Sequence, residues 1–181
     1  MTRIAKPFAP VALAVLLALG AGRAHAQGAD RGTANAVLLF RTACMRFTDD
    51  PMRLRAWAAK FHLAPIKGAA ADAFSPIKPA QSFWAPTPDV KLVLSSADNG
   101  ACAVLAQHGT LLGFQTELVD DLMGNHITIV PLTGRSRTGV KQEVFRANAG
   151  RLAWTLSITA KTYPDAPGVP PLIILLATRH H

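Results

Sequence analysis

Cys44 and Cys102 are the only two cysteines in this chain of 181 residues, and a thiol can serve as nucleophile, redox partner or crosslink. Both sit among apolar neighbours, Thr42-Ala-Cys-Met45 and Ala101-Cys-Ala-Val104, and no C-x-x-C spacing occurs. No His or Lys stands close in sequence to lower either thiol's pKa. In a chain bound for an oxidising compartment, as the N-terminus indicates, an even cysteine count favours a structural disulfide over catalysis. Such a bond joins positions 58 apart in sequence, and the chain-entropy treatment gives it roughly 4 kcal/mol.

The other chemistry-bearing residues form no familiar constellation. His62, His108, His126, His180 and His181 match neither H-E-x-x-H nor a zinc spacing, and no calcium loop is present. No metal, cofactor or catalytic residue is therefore assigned. Among the carboxylates, Asp49 and Asp50 suit helix capping, Asp98 suits a turn, and Asp120 with Asp121 suits the solvent face of a helix. None is marked as half of an acid–base pair. The segment Gly134-Arg-Ser-Arg-Thr-Gly139 places no Gly two residues after Ser136, so it is not a nucleophile elbow. It also lacks the G-K-[ST] of a phosphate loop. What remains is a basic hairpin loop, Arg135 and Arg137 with Lys141 nearby, open to an acidic partner, an anionic glycan or a lipid head group, or simply solvated. Trp84, in the Pro-rich stretch Ser82-Phe-Trp-Ala-Pro-Thr-Pro88, anchors either a partner surface or the core between sheet and helix; its size favours the core.

Charge and composition narrow the classes further. Arg3 and Lys6 precede an apolar run of eleven residues, Val11 to Ala21, and Ala24-His-Ala26 supplies small side chains before Gln27. These are the parts of a secretory signal peptide, with cleavage expected between Ala26 and Gln27. An apolar helix of that length reaches about 17 Å, short of the roughly 30 Å hydrocarbon core. The later run Leu172 to Ala177 is shorter still, so the mature protein is expected to have no membrane span. Residues 27–181 then form a single domain, periplasmic or secreted. Losing Arg3, Lys6 and Arg23 leaves 16 basic against 11 acidic residues, a net charge of +5. That mild charge is dispersed along the chain and not interleaved with aromatics, which argues against nucleic acid.

The periodicity predicts the elements that must position these residues. From Thr33 the stripe Ala36, Val37, Phe40, Ala43, Cys44 and Phe47 marks a first helix. Thr48-Asp-Asp-Pro51 starts a second, with Leu54, Trp57, Ala58 and Phe61 inward, and Ala64-Pro65 follows its end. Gly68 to Phe74 suits a further short turn of helix. Thr110 caps another, with Leu111, Phe114, Leu118 and Leu122 inward. The Pro-rich stretch around Trp84 is expected at an edge or in a loop. Strands are predicted at 91–95, 101–106, 127–130, 140–147, 152–162 and 172–178, the first two joined through the turn Asp98-Asn-Gly100. Short turns between successive strands imply an α+β fold: an antiparallel sheet of five to six strands with two to three helices packed on one face.

This order of features resembles the NMCC family, small exported proteins and lipoproteins of Gram-negative bacteria with no assigned function. The likeness rests on Arg41-Thr-Ala-Cys44, Leu54 to Ala58, Phe83-Trp-Ala-Pro86, Val93-Leu94, Cys102-Ala-Val104 and the helix Phe114 to Leu122, covering roughly residues 33–125. The lipid-attachment Cys of some members is missing. The resemblance implies a disulfide-linked periplasmic domain and supplies no catalytic residues. The expectation is a soluble periplasmic binding or accessory protein, such as an inhibitor, an immunity-like protein or a secretion-associated module, acting on an envelope protein partner. The alternative is a small periplasmic hydrolase whose site is assembled from residues distant in sequence.

Overall fold

A computed structural model of the chain describes residues 31–68, 70–71, 74–88, 90–163 and 168–179. The expected leader and its cleavage site, His180 and His181, most of the stretch 27–32, and residues 164–167 of the last predicted turn lie outside the described residues. Of the short helical turn expected at Gly68 to Phe74, residues 70 and 71 are helical; Ala69, Asp72 and Ala73 also lie outside.

Helix α1 runs over 31–47 and carries a π-helical stretch at Phe40–Met45. The wider turn brings Ala43, Cys44 and Met45 into the core as three consecutive buried residues, leaving Phe47 half-buried. The last carbonyls of any helix lack intrahelical partners. Here the Thr48 hydroxyl donates to Cys44 C=O (2.6 Å) and the Trp154 indole N–H to Met45 C=O (3.1 Å). Helix α2, Pro51–Lys60, starts as expected: Asp50 caps the Arg53 N–H at 3.0 Å and Pro51 takes the first position. Leu54 and Ala58 face inward. Phe61 does not: the helix has ended, His62 turns the chain at φ 56°, and Phe61 is exposed, resting on Trp57 at 4.7 Å. Helix α3, Leu111–Gly124, buries Phe114, Leu118 and Leu122 from a Thr110 cap.

The sheet has nine strands: β1 Ala64–Ile66, β2 Ala80–Ala85, β3 Leu92–Ala97, β4 Cys102–Ala106, β5 Thr128–Pro131, β6 Arg135–Arg137, β7 Val140–Ala149, β8 Leu152–Lys161 and β9 Leu172–Arg179. All neighbours are antiparallel, in the order β1-β2-β3-β4-β9-β8-β7-β5, with β6 beside β5 along the same edge of β7. The α+β class stands, and the strand count exceeds the expected five to six. Three short strands make the difference. Pro65, read as following a helix end, is the middle residue of the three-residue edge strand β1, where a missing N–H is harmless. The Trp84 segment is the inner strand β2, because Pro86 and Pro88 fall just beyond its last residue. The basic loop after Gly134 pairs as β6.

All three helices pack on one face. Their inward residues join Leu92, Leu94, Val104, Leu156, Ile158 and Leu175 in the main core. Cys44 and Cys102 are bonded within it, Cα atoms 5.0 Å apart, tying α1 to β4. Strands β3 and β4 are buried along their whole length. A second, smaller cluster of Ile66, Val93, Ala103 and Leu105 lies on the opposite face, with Ala71 and Phe74 against it.

Candidate functional site

Side chains alternate between the faces of a strand, so the register assigns each residue of the sheet to the helix side or to the open side. On the open side the pairings Trp84↔Val93, Val93↔Leu105, Leu105↔Ile174, Ile174↔Thr159, Thr159↔Gln142 and Gln142↔Arg135 form one continuous row across seven strands. A neighbouring row runs Leu172↔Lys161, Lys161↔Val140 and Val140↔Arg137. This side of the sheet therefore grades from aromatic and aliphatic at β2–β4, where Val93 and Leu105 are buried in the small cluster that Phe74 packs against, through Thr and Gln, to arginine at β6. Trp84, expected mainly in the core between sheet and helix, stands on this face and is 37% exposed. Its ring meets Phe74 edge-on at 5.3 Å.

The basic cluster is composed differently from the sequence reading. Lys141 pairs with Ser136 and Ala160, so it points to the helix side, away from Arg135 and Arg137. Their companions on the open side are Arg146, opposite Thr155 and Val130, and Lys161, whose ammonium lies 5.6 Å from the Tyr163 ring centre. The parity of Arg146 in a strand starting near Val140 carries that signal, since it shares its face with Gln142. Arg135, Arg137, Val140, Gln142 and Thr159 line a shallow concavity of about 600 Å³, with Ser136 at its margin. A second cleft of about 260 Å³ lies under Trp84 at the apolar end.

None of the described carboxylates stands on the open face. Asp49 and Asp50 lie at the α1–α2 junction, where Asp49 approaches Arg179 at 3.8 Å and Asp50 approaches Arg53 at 3.7 Å. Asp98, in the β3–β4 turn, binds Arg55 of α2. Asp121 is not on a solvent face: it bonds Arg41 of α1 at 2.7 Å, both side chains largely covered. Glu117 and Asp120 lie on α3, and Glu143 faces the helix side opposite Ile158. Asp50 thus serves a cap, Asp121 a helix-to-helix tie, Asp98 a turn-to-helix tie and Asp49 an approach to β9.

The histidines are dispersed. His62 follows α2, His108 precedes α3, and His126 follows α3 at φ 59°. Among the described residues no group of three or more His, Cys, Asp or Glu could hold a metal ion, and no helix is long and apolar enough to cross a membrane. In comparisons with known proteins, no family model, no curated protein and no solved structure matches the chain.

Proposed function

We propose that this chain is an exported, disulfide-clamped binding module of the cell envelope, taking an acidic, amphipathic protein partner on the open face of its sheet. The observation that carries the reading is the graded row from Trp84 to Arg135, flanked by Arg137, Arg146 and Lys161 and free of described carboxylates. A partner with an apolar anchor and several carboxylates complements both ends of that row at once. Aromatic anchors supply binding energy, and exposed cations steer encounter and fix orientation. Periplasmic localisation draws on the N-terminal signal pattern, on the Cys44–Cys102 bond and on the resemblance to the NMCC family.

The test is capture from envelope extract with the mature protein and with an Arg135→Glu/Arg137→Glu double variant. A stoichiometric partner retained by the wild type, released by salt and lost with the double variant is the expected result. Equal retention by both proteins, or no salt-sensitive partner, overturns the reading.

A further inference from the structure

The cleft at the apolar end of the open face has the build of a small-molecule site distinct from the basic end. At its bottom are Val93 and Leu105, adjacent on β3 and β4 and almost wholly buried, so the accessible surface of the cleft is mostly that of its walls. One wall is the Phe74–Trp84 aromatic pair, the other Leu172 with Tyr163 from either side of the β8–β9 connection. Lys91 and Gln107 complete the lining. Lys91 immediately precedes β3 and Gln107 immediately follows β4, each two residues from Val93 and Leu105, so both stand at the same end of the floor. Lys91 is exposed and has no ion-pair partner among the described residues. Apolar walls with a few convergent polar groups at one side are the usual make-up of a ligand pocket.

We infer that this cleft binds a small amphiphilic carboxylate, its aliphatic or aromatic body on Val93 and Leu105 between the two walls and its carboxylate at the Lys91 ammonium. Size sets the class. At about 30 Å³ for each water-sized group, the space of about 260 Å³ holds on the order of nine non-hydrogen atoms. That suits a medium-chain fatty acid or an aryl-acetic acid. Charge sets the head group, because the rim offers a cation, an amide and a phenol and, among the described residues, no carboxylate. The site shares Trp84 with the proposed protein interface and none of its arginines.

Isothermal titration of the mature protein with octanoate tests this, with octylamine as the opposite-charge control of matched chain length. Octanoate is expected to bind one to one in the sub-millimolar range, and octylamine at least tenfold more weakly. Lys91→Glu should reverse that preference, and Gln107→Trp should weaken octanoate at least tenfold by filling the mouth. Both positions are exposed, so the fold tolerates the changes. Arg135→Ala with Arg137→Ala should leave octanoate binding within twofold of wild type. Absence of saturable octanoate binding, equal affinity for octylamine, or insensitivity to Gln107→Trp overturns the inference.

Discussion

Trp84 and Arg135 stand at opposite ends of one cross-strand row on the open side of the sheet, six strand spacings apart. At about 4.8 Å per spacing this is roughly 29 Å, too far for one small ligand and matched to a protein surface. The two ends should contribute differently to partner binding. Exposed ion pairs are worth about 0.2–1 kcal/mol each, so Arg135→Ala with Arg137→Ala should weaken binding by roughly two- to thirtyfold. That loss should shrink as salt rises. Trp84→Ala should cost about 2 kcal/mol, as an aromatic anchor does, and be insensitive to salt. Titration at two ionic strengths separates the two behaviours, and identical salt dependence for both variants contradicts the assignment.

The Cys44–Cys102 bond sits in the core and joins α1 to the central strand β4. Cys44→Ala and Cys102→Ala should each lower unfolding stability by about 4 kcal/mol, and by equal amounts. Reductant should destabilise the wild type and leave both variants unchanged. Urea denaturation with and without reductant reads this directly. Unequal losses mean that one sulfur has a role besides the crosslink.

Gly100 closes the β3–β4 turn at φ +86°, and its carbonyl accepts the Asp49 N–H at 3.0 Å. A Cβ there would stand 2.7 Å from Asp49 Cα, whereas one at Gly150, φ +59°, meets nothing within 4 Å. Gly150→Ala should therefore cost only the conformational term, about 1–2 kcal/mol. Gly100→Ala must in addition push the α1–α2 junction off the sheet. Thermal melts of the two variants should rank them in that order, with Gly100→Ala clearly the worse; a reversed order refutes the contact.

Trp154 serves the helix end as well as the core. Trp154→Phe removes the indole N–H that satisfies the buried Met45 carbonyl, and stranding a buried acceptor costs about 1–3 kcal/mol. Trp57→Phe, on a half-buried ring with no hydrogen bond described, should cost less. Denaturant midpoints decide the order.

The elements with strong periodicity were legible from residues alone. The inward stripes Ala36-Val37-Phe40 and Phe114-Leu118-Leu122 and the turn Asp98-Asn-Gly100 all stand where spacing and turn chemistry put them. The short strands were not legible. Ala64–Ile66 and Arg135–Arg137 have three residues each, too few for an alternation to show, and their pairing is imposed by the long neighbours β2 and β7. Proline misled at Trp84, because it ends the strand at Ala85 and does not exclude it from the sheet. The candidate site was half legible: Trp84, Arg135 and Arg137 were singled out by type. Whether Lys141 or Arg146 joins them depends on strand parity, which only a fixed register sets. Phe61 was lost for a similar reason, since one left-handed residue at His62 ended the helical stripe early.

The two outer margins of the sheet are both poor templates for growth. At one margin lies β1, three residues long with a proline at its centre; at the other, β5 and β6 divide a single side of β7 between them, with Thr133 and Gly134 interrupting the ladder after Leu132 N–H donates to Val144 C=O. A broken or proline-bearing rim offers few consecutive unpaired amides to another chain. Copies of this protein are thus discouraged from zipping together side by side into fibres, even when crowded. Recognition is left to the broad surface of the sheet.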